Sequence, residues 1–68
     1  MDTNNFLVEF GRLLKRARKE KGLSQVNAAL EMKIDYRHYQ NIEGGKVNLR
    51  LDTMVKLIKF YNLDQNQP

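Results

Sequence analysis

The apolar residues of this chain recur at helical spacing in four separate runs. Over residues 5–20, Phe6, Phe10, Leu13, Leu14 and Ala17 fall on one side. Glu9, Arg12, Lys15, Arg16, Lys19 and Glu20 fill most of the other. That pattern predicts an amphipathic helix, with Thr3, Asn4 or Asn5 available to cap it. Gly22 stands just past its end as a candidate left-handed residue, with Lys19 and Lys21 placed to favour the helix dipole. Gly11 inside the helix costs about 1 kcal/mol against alanine and is read as the mark of a close packing contact. Ser24 is the predicted N-cap of a second helix over 25–31, whose apolar side is Val26, Ala29 and Leu30. Asp35 caps a third, over 36–43, in which Tyr39 and Ile42 share one face while Tyr36, Arg37, Gln40 and Asn41 point elsewhere. Gly44-Gly45 ends it. After a loop over 46–50, a fourth helix covers about 51–61, with Leu51, Met54, Val55, Ile58 and Tyr61 on one side, Asp52 in its first turn and a poor cap in Arg50. Residues 64–68 carry no apolar side chain and are expected to fray. No segment alternates as a strand does. The expected fold is all-α: a compact four- to five-helix bundle forming one domain over 1–68.

Length and composition narrow the function more than the fold. A chain of 68 residues buries only about 60% of its unfolded surface on folding, which leaves little room for a substrate pocket. There is no cysteine, one histidine (His38) and one serine (Ser24). Neither a usual zinc ligand set nor a serine–histidine–acid triad has the parts it needs. No enzyme activity, metal, cofactor or small-molecule substrate is expected. No apolar run is long enough to span a membrane, and the first ten residues lack the basic start of a signal peptide. The expectation is a cytoplasmic protein with no membrane partner.

Charge points to a polyanion. The net charge is +4, and residues 12–21 alone hold six bases against one acid. Such a stripe fits a nucleic-acid footprint, and it equally fits the solvated outer face of a helix.

Two short helices joined by three or four residues are marginal alone and must be clamped by their neighbours. Ala28 and Ala29 place small side chains on the first of the pair, Ala29 would let the second approach closely, and a short helix held at the edge of a basic bundle can enter a DNA major groove. At this point the chain resembles a known family. Leu23-Ser24-Gln25, Ala29, Ile34-Asp35, Tyr39, Ile42-Glu43, Gly45-Lys46 and Asn48 resemble the Cro/lambda-repressor-like (XRE-type) helix-turn-helix pattern. The likeness runs from about Phe6 to Leu63, with the motif at about 24–43.

The resemblance implies a sequence-specific double-stranded DNA-binding regulator, of the bacterial or phage repressor kind. Its third helix would lie in the major groove, and it would bind a palindromic operator as a weak or DNA-induced homodimer. It implies base contacts from Tyr36, Arg37, Gln40 and Asn41, phosphate contacts from Ser24, Gln25, Lys46 and Asn48, and a structural salt bridge between Arg18 and Glu43. The side-chain chemistry agrees: Arg37 has the fork that reads guanine, and Gln40 and Asn41 have the amides that read adenine. For dimerisation the expected apolar surface is Phe60, Tyr61, Leu63 and Leu57.

The chain also departs from the family. Lys33 stands where the motif turn usually has glycine. It either carries a left-handed backbone at a cost of order 1 kcal/mol, or the turn takes another shape. Leu49 replaces a frequent proline and Arg50 a capping serine. Tyr39 replaces an aliphatic residue, so its hydroxyl needs a partner. His38 is placed beside Ile34 and Ile42, in a structural or peripheral role. Two rival functions remain: a protein-interaction module such as an antitoxin or anti-repressor built on the same bundle, and a non-specific nucleic-acid binder working through residues 12–21.

Overall fold

Gly11 sets how the helices pack. A Cβ built on it would lie 2.3 Å from the carbonyl oxygen of Glu43 and 3.0 Å from that of Ile42, so the first helix runs against the backbone of the third with no side chain between them. The computed structural model describes residues 3–65. It contains α1 (Thr3–Glu20), α2 (Gln25–Met32), α3 (Tyr36–Glu43), α4 (Leu51–Phe60) and a 3-10 turn, Leu63–Gln65. Among the described residues there is no strand. The fold is the expected all-α helical bundle.

This close approach turns α1 relative to its predicted face. The buried residues are Leu7, Phe10, Gly11, Leu14 and Arg18, while Phe6 and Leu13 are exposed. Phe6 stacks on Phe10, with ring centroids 5.8 Å apart. Thr3, Asn4 and Asn5 lie inside the helix rather than capping it. The predicted face of α2 is displaced in the same way. Ala28, Ala29 and Met32 are buried, whereas Val26 and Leu30 are exposed, Leu30 at 69%. Hydropathy alone favoured the larger side chains. Close helix packing selected the small ones.

The end of α1 and the starts of α2 and α3 follow the sequence. Gly22 has φ +74°, and Leu23 N–H donates to the Arg18 carbonyl at 3.1 Å, closing α1. Ser24 Oγ accepts from Asn27 N–H at 3.0 Å, and Asp35 Oδ2 accepts from His38 N–H at 3.2 Å. Each of these satisfies one orphan donor of a helix start. Gly45 has φ +69°, and a Cβ there would sit 2.7 Å from Val8 Cα, so both conformation and space demand glycine. At α4 the Arg50 side chain makes no capping bond.

The motif turn is resolved by Lys33. It adopts the left-handed conformation (φ 59°, ψ 42°), and Ile34 N–H reaches back to the Ala29 carbonyl at 2.9 Å. The glycine-type turn is therefore kept with a lysine in it. Lys33→Gly should remove that strain, offset in part by the greater freedom of glycine in the unfolded chain. A gain of up to about 1 kcal/mol is expected, raising the melting temperature by roughly 4–8 °C. A thermal melt of the variant that matches or falls below the parent contradicts this reading.

The core holds Phe10, Leu14, Ala28, Ala29, Met32, Tyr39, Ile42, Leu57 and Tyr61. Leu57 and Tyr61 are thus not the exposed dimer candidates the sequence suggested. Phe60 and Leu63 are half-buried, with the Phe60 ring edge-on to Tyr61 at 4.9 Å and Lys21 Nζ 5.2 Å from its centroid. The apolar residues that α4 does expose are Leu51, at 76%, and Val55. Asp64 and Gln65, the first residues of the expected tail, lie in the 3-10 turn, with Asp64 Oδ2 3.1 Å from Lys59 Nζ. Residues 66–68 lie outside the described residues. No helix among the described residues is long and apolar enough to cross a membrane.

Candidate nucleic-acid interface

An 8-residue helix cannot hold its own position. Tyr39, Ile42 and Glu43 of α3 point inward and are buried, whereas Tyr36, Arg37, His38 and Gln40 are exposed and Asn41 is half-buried. The inward side packs on α1 and α2. The outward side presents a phenol, a guanidinium and two carboxamides along one short helix. Arg37 has no hydrogen-bond or ion-pair partner among the described residues. Gln40 Nε2 donates to the Tyr36 hydroxyl at 3.1 Å. His38 is exposed, not sheltered between Ile34 and Ile42.

Five polar side chains form the network that fixes α3, and three of them, Arg18, Gln25 and Tyr39, bond to a fourth, Glu43. Arg18 donates from Nε to Oε2 at 2.7 Å and from Nη2 to Oε1 at 3.3 Å. Gln25 Nε2 donates to Oε1 at 3.0 Å, and the Tyr39 hydroxyl to Oε2 at 2.5 Å. The fifth is the Tyr61 hydroxyl, 2.6 Å from that of Tyr39. Because the Tyr39 proton goes to the carboxylate, Tyr61 is the donor in that pair. Arg18 Nη1 also reaches the Leu23 carbonyl at 2.8 Å. One buried carboxylate thus joins the end of α1, the start of α2 and the end of α3 to the residue that closes α4.

Titration behaviour follows from this saturation. Burial alone pushes the Glu43 carboxyl up, but hydrogen bonds from Arg18, Tyr39 and Gln25 together outweigh it and hold the group below its ordinary range. The Glu43 hydrogen bond raises Arg18 above its usual value. Burial pushes the Tyr39 hydroxyl far up, with Glu43 adding to the effect. Burial is also the leading cause of the upward shift at Tyr61.

The residues expected to touch phosphate border α3 on two sides. Ser24 is exposed, and its hydroxyl oxygen is occupied as the cap of α2. Gln25 is half-buried and gives one amide hydrogen to Glu43, leaving its second hydrogen and its carbonyl. Lys46 and Asn48 are exposed on the loop after α3, where Lys46 N–H caps the Asn41 carbonyl at 3.0 Å. The 12–21 stripe divides. Arg18 turns inward, while Arg12, Lys15, Arg16, Lys19 and Lys21 stay exposed, and Arg12 pairs with Glu9 at 3.1 Å.

Two residues had no role in the sequence reading of the site. Tyr61 was assigned to an apolar face, although the unmet hydroxyl of Tyr39 was a signal that a second polar group lay nearby. Lys56 donates to the Met32 carbonyl at 3.2 Å, tying α4 to the negative end of α2. Nothing in its spacing announced that. Among the described residues no three of His, Cys, Asp and Glu gather as a metal site would require.

Comparison with known proteins agrees with this geometry. No solved structure matches the chain significantly. The control protein C.MunI of Mycoplasma sp is 40% identical over 55 residues, covering 79% of this chain and 74% of the relative. The helix-turn-helix family profile matches residues 14–64, a span that takes in the last two turns of α1, the whole motif and α4. The chain belongs to the XRE-type helix-turn-helix family and is a DNA-binding regulator, not an enzyme.

Proposed function

We propose that the protein is a sequence-specific transcriptional repressor or controller. The 68-residue chain acts as one DNA-binding unit that lays α3 in the major groove of a palindromic operator in the bacterial cytoplasm. The observation that supports this reading best is the division of α3. Its inner residues are locked by the core and the Glu43 network, and its outer ones carry base-reading chemistry with no structural duty of their own. Arg37 reads guanine, and Gln40 and Asn41 read adenine. Tyr36 touches the pair beside them. Ser24, Gln25, Lys46 and Asn48 grip the phosphates on either side, with the free N–H groups at the start of α2 aiding Gln25.

Two copies would place their recognition helices about 34 Å apart in successive grooves. The outward side of α4 suits the pairing, because Leu51 and Val55 lie one turn apart and are both exposed. The similarity to a protein named as a control protein favours a regulatory role over the antitoxin reading.

Selection from a random duplex library tests the proposal, with a palindromic consensus as the expected result and an absence of any consensus as the contrary one. On the selected site, Arg37→Ala should cost about 1–3 kcal/mol and relax preference at one base pair. Lys46→Ala should weaken all sequences alike and flatten the logarithmic salt dependence by about one unit. Equal behaviour of the two variants in salt-dependent binding titrations would remove the division between readers and grips.

A further inference from the structure

We propose that Tyr36 is a specificity-determining residue that works through Gln40, holding its carboxamide so that it accepts adenine and refuses guanine. This rests on the groove placement of α3 given above. The side chains are one helical turn apart, at i and i+4, where neighbours on a helix meet. Gln40 Nε2 donates to the Tyr36 hydroxyl at 3.1 Å.

A free carboxamide carries two N–H donors and one carbonyl acceptor, and it can turn over. In the major groove, adenine presents one acceptor and one donor, N7 and the N6 amino group, whereas guanine presents two acceptors, N7 and O6. A loose glutamine can therefore satisfy either purine in part, by offering carbonyl and N–H to one or N–H groups to the other. Once one N–H of Gln40 is committed to Tyr36, a single donor and a single acceptor remain. That set matches the adenine edge, and facing guanine it would place the carbonyl against O6. The Tyr36 hydroxyl, having accepted from Gln40, keeps its own proton to give to the DNA. Both groups are exposed and neither belongs to the core, so the bond serves the outer face alone. The phenol also costs less order to hold than the amide, since it turns about only two side-chain torsions.

The test uses binding of the full chain to its selected operator and to duplexes carrying each base pair at each position. The proteins are the parent, Tyr36→Phe, Gln40→Ala and the double variant. At the base pair that Gln40→Ala relaxes, Tyr36→Phe should cut the preference for adenine over guanine roughly tenfold. The double variant should go no further than Gln40→Ala at that pair, and the thermal melt of Tyr36→Phe should match the parent. Three results overturn the proposal while leaving the operator reading intact. One is a Tyr36→Phe profile unchanged at Gln40's base pair. Another is a loss confined to a different pair, with the preference at Gln40's pair intact. The third is a parent preference for guanine at that pair, which would mean that the amide sits turned over, accepting from the phenol. A Gln40→Ala protein with every base preference intact overturns the proposal together with the placement of α3 on the bases.

Discussion

Gly11→Ala should destabilise the protein by about 2 kcal/mol or more, although alanine is the better helix former by about 1 kcal/mol. The added Cβ would lie 2.3 Å from a carbonyl oxygen and 2.8 Å from the carbonyl carbon of Glu43. Those are backbone atoms, which cannot swing aside as a side-chain tip would. α1 and α3 would have to part, drawing Glu43 away from Arg18 at the same time, so the loss reaches beyond one contact. Gly22→Ala is the control. Nothing lies within 4 Å of a Cβ there, and only the positive φ of 74° opposes the change, so about 1 kcal/mol is expected. Urea denaturation of the two variants compares them directly. A Gly11→Ala protein as stable as the parent would mean that the helices do not approach this closely.

Glu43→Ala should have the largest effect of any single change considered, about 3–5 kcal/mol, because it leaves the Arg18 guanidinium buried without its counter-ion. A chain of this size has a total stability of only about 3–10 kcal/mol, so the loss is a large share of it, and circular dichroism should show the variant melting far below the parent. Glu43→Gln keeps the shape but not the charge, and turns an N–H group toward donors that need an acceptor. It should fall between the parent and Glu43→Ala.

The parent should also lose stability in acid. The folded carboxyl titrates below its ordinary 4.5, so its contribution is complete above pH 4.5 and drains away as pH falls from there through the folded value. Glu43→Gln has no such group, and the gap between the two proteins should close on acidification over that window. A gap that stays constant from pH 6 to pH 3 would show that the network does not depend on the charge of residue 43.

The helices and their ends were legible because they are local. Capping by Ser24 and Asp35 and the left-handed stop at Gly22 depend on residues within four or five positions, and each side chain announces its use. Helix rotation is not local. Whether Leu13 or Leu7 faces inward, or Leu30 or Met32, depends on how near the next helix comes. That distance is set by Gly11 and by Ala28 and Ala29 acting together. The resemblance of the motif at 24–43 to its family brought the outer face of α3 into view, and the same resemblance implied that Glu43 meets Arg18, which lies before the motif in α1. The wider network was out of reach for a different reason. Tyr39 and Tyr61 stand 22 positions apart, and only the docked chain shows that the hydroxyl required by one is supplied by the other.

The inner and outer sides of α3 share a backbone and almost nothing else. Tyr39, Ile42 and Glu43 carry the packing and the buried charge. Tyr36, Arg37 and Gln40 bury little, and the one side-chain bond among them runs from Gln40 to Tyr36. A change of outer residues is therefore nearly silent in folding, and a change of inner ones is silent in chemistry until the helix itself moves. Such a scaffold is modular at the scale of a single helix, with new binding preferences reachable by point substitutions that the core never registers.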